Sequence, residues 1–270
     1  MRAGLLLISY SFKRVITLVV AMSLLLSVFQ VVLIVVAGSI QNNGSFEQLG
    51  DLIPPFFRQL LGPSFVSFMS FSGIVSLGYF HLAVMGSLVG LSISLGTTVT
   101  SEIETGFMDL IMSRPIGRHW IITRSIVVML FSTVSVLAMM MLGTWAGLNL
   151  LAPANTVWPS SNLILSLAFN LGLLMVCWNS LSLAIGAASR RRSVAGATAG
   201  LAALATFLLD YVARAWEPAE KIAWLSPFRY YSPFDLVMGS TLSIKNLIVL
   251  SAVSACSFSV AYVVFYRRDI

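Results

Sequence analysis

Six stretches of this chain, at about 15–38, 75–98, 125–151, 162–188, 193–213 and 245–266, are long, continuously apolar and poor in ionisable side chains. Each is near the ~20 residues a helix needs to cross the hydrocarbon core of a bilayer. A backbone in lipid finds no water to bond, so it must satisfy its own amides as helices or as a closed barrel. A barrel would show ~10-residue segments of alternating hydrophobicity, and these runs are longer and unbroken. The expected fold is therefore an all-α integral membrane protein with six transmembrane helices, forming a single transmembrane domain over residues 1–270. Composition agrees: the chain is 58% hydrophobic and 10% charged, with a mean hydropathy of +0.92, where soluble domains carry about 25% charged residues.

The first run follows Lys13-Arg14 and precedes Ala37-Gly38-Ser39. Its apolar length exceeds the ~7–15 residues of a signal-peptide core, so it reads as a span. Charge placement orients the chain. With a cytoplasmic N-terminus, the inner segments hold Arg2, Lys13, Arg14, Arg114, Arg118, Arg124, Arg190, Arg191, Arg192, Arg267 and Arg268, eleven in all. The outer segments hold Arg58, Arg214, Lys221, Arg229 and Lys245, five. Both termini are thus expected on the cytoplasmic side. The net charge of +6 gathers at span ends, where it reports topology and not nucleic acid. Cys177 and Cys256 fall in apolar runs without a C-x-x-C pattern, so both read as small buried residues, with no disulfide or metal site.

Two outer segments stand out. Residues 39–74 become apolar after Pro54-Pro55, as an interfacial helix or an extension of span two. Residues 214–243 combine Trp216, Trp224, Tyr230 and Tyr231 with Pro218, Pro227 and Pro233. Trp and Tyr favour the headgroup level and proline interrupts helices. A short helix near 217–224, on or dipping into the outer leaflet, is expected. Within the spans, His81 is read as packed or hydrogen-bonded, and Asn170 and Asn179 as interhelical contacts or pathway groups. Asp210 and Arg214 suit an i,i+4 ion pair. Gly86 and Gly90, Gly143 and Gly147, and Gly196 and Gly200 offer small-residue faces on spans two, three and five. These serve either packing within the chain or a second copy.

One short stretch between spans two and three departs from the rest. Residues 101–118 carry Glu102, Glu104 and Asp109, three of the ten acidic residues, with Arg114 and Arg118. Ser101 with Glu104 three residues on predicts a capping box. The acidic first turns and the closing Arg114 before Pro115 complement the helix dipole. Ile103, Phe107, Leu110 and Ile111 predict one apolar face, and Gly106 a kink or a close approach. Helices that lie on membranes favour Lys and Arg on the polar face. An acidic face points instead to a protein partner.

The pattern Glu102-x-Glu104-x-Gly106-x-x-Asp109-Leu110-x-x-Ser113-Arg114-Pro115-x-x-Arg118 resembles the signature of ABC-2-type ABC transporter permeases, where such a helix joins the same two spans. Leu225-Ser226-Pro227-Phe228 resembles the family's Leu-Ser-Pro segment, and the ending Arg267-Arg268-Asp269 resembles its Arg-Arg-Asp terminus. The family often has Thr after the glycine and Glu near Asp109; Phe107 and Asp109 stand here. The resemblance implies the membrane-domain subunit of an ABC exporter in the cell (inner, cytoplasmic) membrane, with a cytoplasmic coupling helix between spans two and three. It implies that Glu102, Glu104, Asp109, Arg114 and Arg118 contact a cytosolic ABC ATPase subunit. Phe107 and Leu110 would pack beneath it or into its groove, with Gly106 and Pro115 bounding the helix. Two ATPase copies would bind ATP and magnesium, since no G-x-x-x-x-G-K-[ST] is present in this chain. A second permease subunit, identical or homologous, would complete a dimer, and the resemblance implies that spans two and five line the pathway.

A membrane enzyme would need clustered metal ligands or an acid–base pair, which Glu102 and Glu104 with the distant His81 and His119 do not supply. An anchor that recruits an ATPase without transport fits the same residues. The few ionisable groups in the spans favour a hydrophobic or amphipathic cargo.

Overall fold

The structure, a computed structural model, describes residues 2–42, 70–113, 117–154 and 156–268. Six helical segments are long and apolar enough to cross a membrane: Leu6–Asn42, Phe71–Glu104, His119–Leu151, Ser161–Ala188, Arg192–Ala213 and Ile244–Tyr266. We call these spans one to six. Among the described residues there is no strand. Spans one and three, of 37 and 33 residues, would rise about 50 Å or more at 1.5 Å per residue. They exceed a hydrocarbon core of about 30 Å, so the ends of the apolar runs underestimate the helices. Most of the segment expected as an interfacial helix lies outside the described residues; span two starts at Phe71.

Span four is the centre of the bundle, with 67% of its apolar window buried against 22% for spans five and six. Spans two, three, five and six all pack on it, while span one lies along span three. Glycines set two of these crossings. A side chain at Gly143 would run into the Ser27 backbone of span one, and one at Gly147 into Ile34. Gly96 of span two and Gly186 of span four meet so closely that a Cβ on either would strike the other's helix. The hydroxyl of Thr100 donates to the Gly186 carbonyl at 2.7 Å there. Small residues of this kind let helices approach without a hydrophobic driving force in lipid.

Span two is broken at His81, whose φ of −60° and ψ of 136° interrupt the helix. The Ala83 amide donates to His81 Nδ1 at 3.2 Å. The freed Tyr79 carbonyl accepts the Tyr231 hydroxyl at 2.9 Å. The Tyr79 hydroxyl in turn pairs with Thr144 of span three at 3.0 Å. A break at this depth survives because side chains replace the missing helical bonds.

Tyr231 belongs to the connection between spans five and six, which enters the bundle. It comprises a helix at Glu217–Glu220, 3₁₀ turns at Ala223–Leu225 and Pro227–Tyr230, and a helix at Pro233–Val237. Pro218, Pro227 and Pro233 each occupy a first or second helical position. There the missing N–H costs nothing and the fixed φ is already helical, so the prolines start short helices here. Ser226 donates to the Thr206 carbonyl at 2.8 Å, and Phe228 packs between Trp178 and Phe207. Asn179 Nδ2 donates to Thr133 Oγ1 at 2.9 Å, joining spans four and three. Arg214 and Asp210 form the expected i,i+4 pair at 2.9 Å. Cys177 is buried, but Cys256 is exposed, because span six turns most of its surface outward.

Candidate functional site

Groups from one end of each of the six spans meet through a set of ion pairs and hydrogen bonds, of which those of Glu102 and Glu104 centre on the foot of span two. The polar stretch does not begin as an independent helix there. Span two continues through Thr98–Glu104, and the Ser101 amide donates to the Thr97 carbonyl at 3.1 Å. Ser101 is buried and caps nothing. The expected capping box fails for a simple reason: a helix arriving from the membrane leaves no free amides at Ser101. Glu104 caps a different helix instead. Its Oε2 accepts the Arg192 backbone N–H at 2.8 Å, at the first residue of span five. A carboxylate there also meets the positive end of that helix's dipole.

Glu102 is buried, and both its oxygens are engaged. Oε2 pairs with Arg124 of span three, itself buried. Oε1 pairs with Arg14 of the first helix at 3.4 Å. Arg124 Nη1 also reaches Ser11 Oγ at 3.4 Å. One carboxylate thus binds the foot of span two to spans one and three, and a buried charge is tolerated only with such partners.

Gly106 then reverses the chain with φ +70°, a left-handed conformation that costs any residue with a Cβ about 1–2 kcal/mol. Nothing lies within 4 Å of the space its side chain would take, so this glycine marks a turn and not a close approach. Beyond it runs the helix Phe107–Met112. The turn resets the helical phase, which splits the apolar face expected from Ile103, Phe107, Leu110 and Ile111. Met108 and Ile111 are buried, while Asp109 and Leu110 face outward. Phe107 stacks on Tyr10 with ring centres 5.8 Å apart. Between these residues, Arg14 and Thr105 opens a depression of about 500 Å³.

Arg118 does not face the short helix. Its Nη1 donates to the carbonyls of Tyr266 at 3.3 Å and Arg268 at 2.8 Å, at the end of span six. Arg268 Nη1 donates to the Ala187 carbonyl at 2.8 Å, at the end of span four. Burial, with repulsion from Arg190 added, lowers the Arg268 pKa. Arg118 of the Pro-x-x-Arg pattern and Arg268 of the Arg-Arg-Asp pattern, far apart in the sequence, therefore meet in space. Arg114 and Pro115 lie outside the described residues.

Of the seven expected contact residues and their two bounding positions, the structure brings Gly106, Phe107 and Leu110 to one open depression, with Asp109 exposed beside it. It turns Glu102, Glu104 and Arg118 toward the bundle. Arg124 and Arg14 entered the sequence reading only as topology charges. An arginine within the first turns of an apolar span was the available signal, since such a charge needs a partner.

The three glycine pairs also part ways. Those of span three are filled by span one, as above. At Gly86, Gly90, Gly196 and Gly200 an added Cβ would meet nothing within 4 Å, so the small-residue faces of spans two and five are open.

No curated protein matches the chain. The model of the ABC-2 family transporter protein matches residues 6–270, nearly the whole chain, so this membrane protein belongs to the ABC-2 transporter family.

Proposed function

We propose that the chain is the permease subunit of an ATP-driven ABC exporter and that a separate ABC ATPase subunit docks on the helix Phe107–Met112. The observation that carries this reading is the division of labour within the polar stretch. Its first half is fixed to spans one, three and five through Glu102 and Glu104. Its second half offers Asp109, Leu110 and the depression beside Phe107 to the outside. A push on the exposed helix would pass directly into the foot of span two. The ATPase subunit would bind ATP and magnesium, and this chain would hydrolyse nothing.

By the positive-inside rule this end is cytoplasmic, as are both termini, in the cell membrane. Two ATPase copies would serve two membrane subunits. The open glycine faces of spans two and five are where the second membrane subunit would pack, since unfilled small-residue faces in lipid favour close helix contact. Export is the direction the family resemblance favours, and the sparsely charged spans suit a hydrophobic or amphipathic cargo.

The test pairs Asp109→Arg with Leu110→Asp in the full chain co-expressed with its ATPase subunit. The doubly changed protein should fold and insert normally. It should lose co-purification of the ATPase subunit and substrate-stimulated ATP hydrolysis in proteoliposomes. Retention of both would sink the docking assignment.

A further inference from the structure

At the arginine-rich end a second feature lies apart from the docking helix. The first turns of span three and the last turns of span six enclose a groove of about 460 Å³. Ile122 and Phe265 form its floor and are fully buried. Tyr262 and Val263 wall it, with Tyr266 at the rim, and its polar edge is Arg118, His119 and Arg267. The Tyr262 hydroxyl is already paired with Thr123 at 2.7 Å, which leaves the ring as an apolar wall. Val263 and Tyr266 are exposed on a helix that crosses the bilayer, so the groove is continuous with the lipid-facing surface.

Among the described residues its lining holds two arginines and no carboxylate. Among the described residues no carboxylate pairs with Arg118, Arg267 or Arg268. The carbonyls that Arg118 meets belong to a helix C-terminus, which supplies only about half a negative charge. Two guanidinium groups, those of Arg118 and Arg267, therefore line an apolar slot at the level where a span ends and headgroups begin, while Arg268 is bonded nearby to the Ala187 carbonyl. Basic pockets between transmembrane helices are built to take anionic headgroups, and the slot below would take an acyl chain.

We propose that this groove binds an anionic phospholipid from the adjoining leaflet, its phosphate against Arg267 and Arg118 and one acyl chain along Val263 and Tyr266. The site requires only that the chain spans a bilayer, and so stands or falls independently of the ATPase reading. It also has a structural use. Arg118 and Arg268 tie together spans three, four and six, and a bound phosphate relieves the repulsion among the cations that make those ties.

The test is native mass spectrometry of the full chain released from vesicles of equal parts dioleoylphosphatidylcholine and dioleoylphosphatidylglycerol. The native protein should retain phosphatidylglycerol in preference to phosphatidylcholine. Arg267→Gln should weaken that retention about fivefold, and Arg267→Lys should largely preserve it. Val263→Trp, which fills the slot and keeps every charge, should abolish it. Arg191→Gln removes an equal exposed charge outside the groove and should change nothing. Inorganic phosphate, offered to the delipidated chain in detergent, should bind far more weakly than the lipid. Equal retention of the two lipids overturns the proposal. So does an Arg191→Gln effect as large as that of Arg267→Gln, full retention in Val263→Trp, or phosphate binding as tight as the lipid's. Cross-linking of Val263 to a second protein chain overturns it too.

Discussion

Glu102 and Leu110 stand eight residues apart in one polar stretch, yet Glu102 is 4% exposed and Leu110 is 66% exposed. The charged residue is sealed in and the apolar one is left out, the reverse of what side-chain chemistry alone dictates. The half up to Glu104 is an anchor: Glu102 is spent inside the chain, and Glu104, though exposed, holds the start of span five through one oxygen. The half after Gly106 is a surface with groups to spare. Leu110 is held outside by a helix whose neighbours Met108 and Ile111 are buried, and it lines the open depression beside Phe107. The difference teaches that Glu102 and Glu104 fix the position of this stretch, and that the proposed contact with a partner would fall to the few residues beyond the turn.

The comparison is broken most severely by removing one side of the anchor. Arg124→Ala leaves Glu102 buried with only the half-exposed Arg14, and breaking a buried pair costs about 3–5 kcal/mol. The purified protein should lose most of its resistance to heat in detergent, read by size-exclusion recovery after a temperature series. Replacing both partners, Glu102→Leu with Arg124→Leu, should restore much of it, because no charge is then left unpaired. Heat resistance unchanged in Arg124→Ala would remove the anchor from this picture.

Gly96 tests the ground on which the anchor rests. Gly96→Ala places a Cβ against Ser182 of span four, and overpacking of this kind costs about 1–3 kcal/mol. The matched change Gly86→Ala meets open space and should leave heat resistance alone. If a second membrane subunit packs on this face as proposed, the change should instead weaken recovery of that dimer, seen as a shift toward the single-chain species in native mass spectra. Equal effects of the two substitutions would erase the distinction between filled and open glycine faces.

How much of this was legible beforehand divides along the same line. The six spans were readable because charge-free length is a local property, and Asp210 with Arg214 because four residues on a helix make neighbours. The capping box at Ser101 was misread because a cap depends on whether a helix has already begun upstream. Nothing in residues 101–104 reports that span two arrives unbroken from Thr98. The partner of Glu102 was illegible because Arg124 follows a turn and lies on another helix. Three glycine pairs with the same spacing gave no hint that Ser27 and Ile34 fill one of them. The break at His81 depends on Tyr231, 150 residues downstream, to satisfy a carbonyl, and no local pattern announces it. At Gly106, by contrast, glycine alone left a kink or a close approach open, and the positive φ with open space around it makes the position a turn.

The turn between the halves gives a smaller and sharper effect. Gly106→Ala forces a Cβ into left-handed backbone, a strain of about 1–2 kcal/mol. Since no neighbour crowds that position, the strain should appear as displacement of Phe107–Met112 while the anchor holds. Hydrogen exchange should quicken at the amides of 107–112 and stay unchanged at 98–104. Faster exchange across both halves would mean that they form one cooperative unit.

The least disturbance to stability, and the most informative one, comes from Leu110→Ala. Truncating an exposed side chain away from caps and cores moves stability by no more than about 0.5 kcal/mol, so heat resistance and dimer recovery should match the native chain. If Leu110 is the apolar centre of a docking surface, its loss should still lower ATPase-subunit retention markedly, because a few well-placed anchors dominate an interface. Glu104→Gln provides the contrast. It keeps an acceptor for the Arg192 amide but weakens the charge at the foot of span five, so it should loosen span five's start and leave retention of the ATPase subunit nearly intact. A protein that keeps its partner without Leu110 but loses it without the Glu104 charge would invert the two halves. It would put the docking surface on the side of the glycine turn where the structure places the anchor.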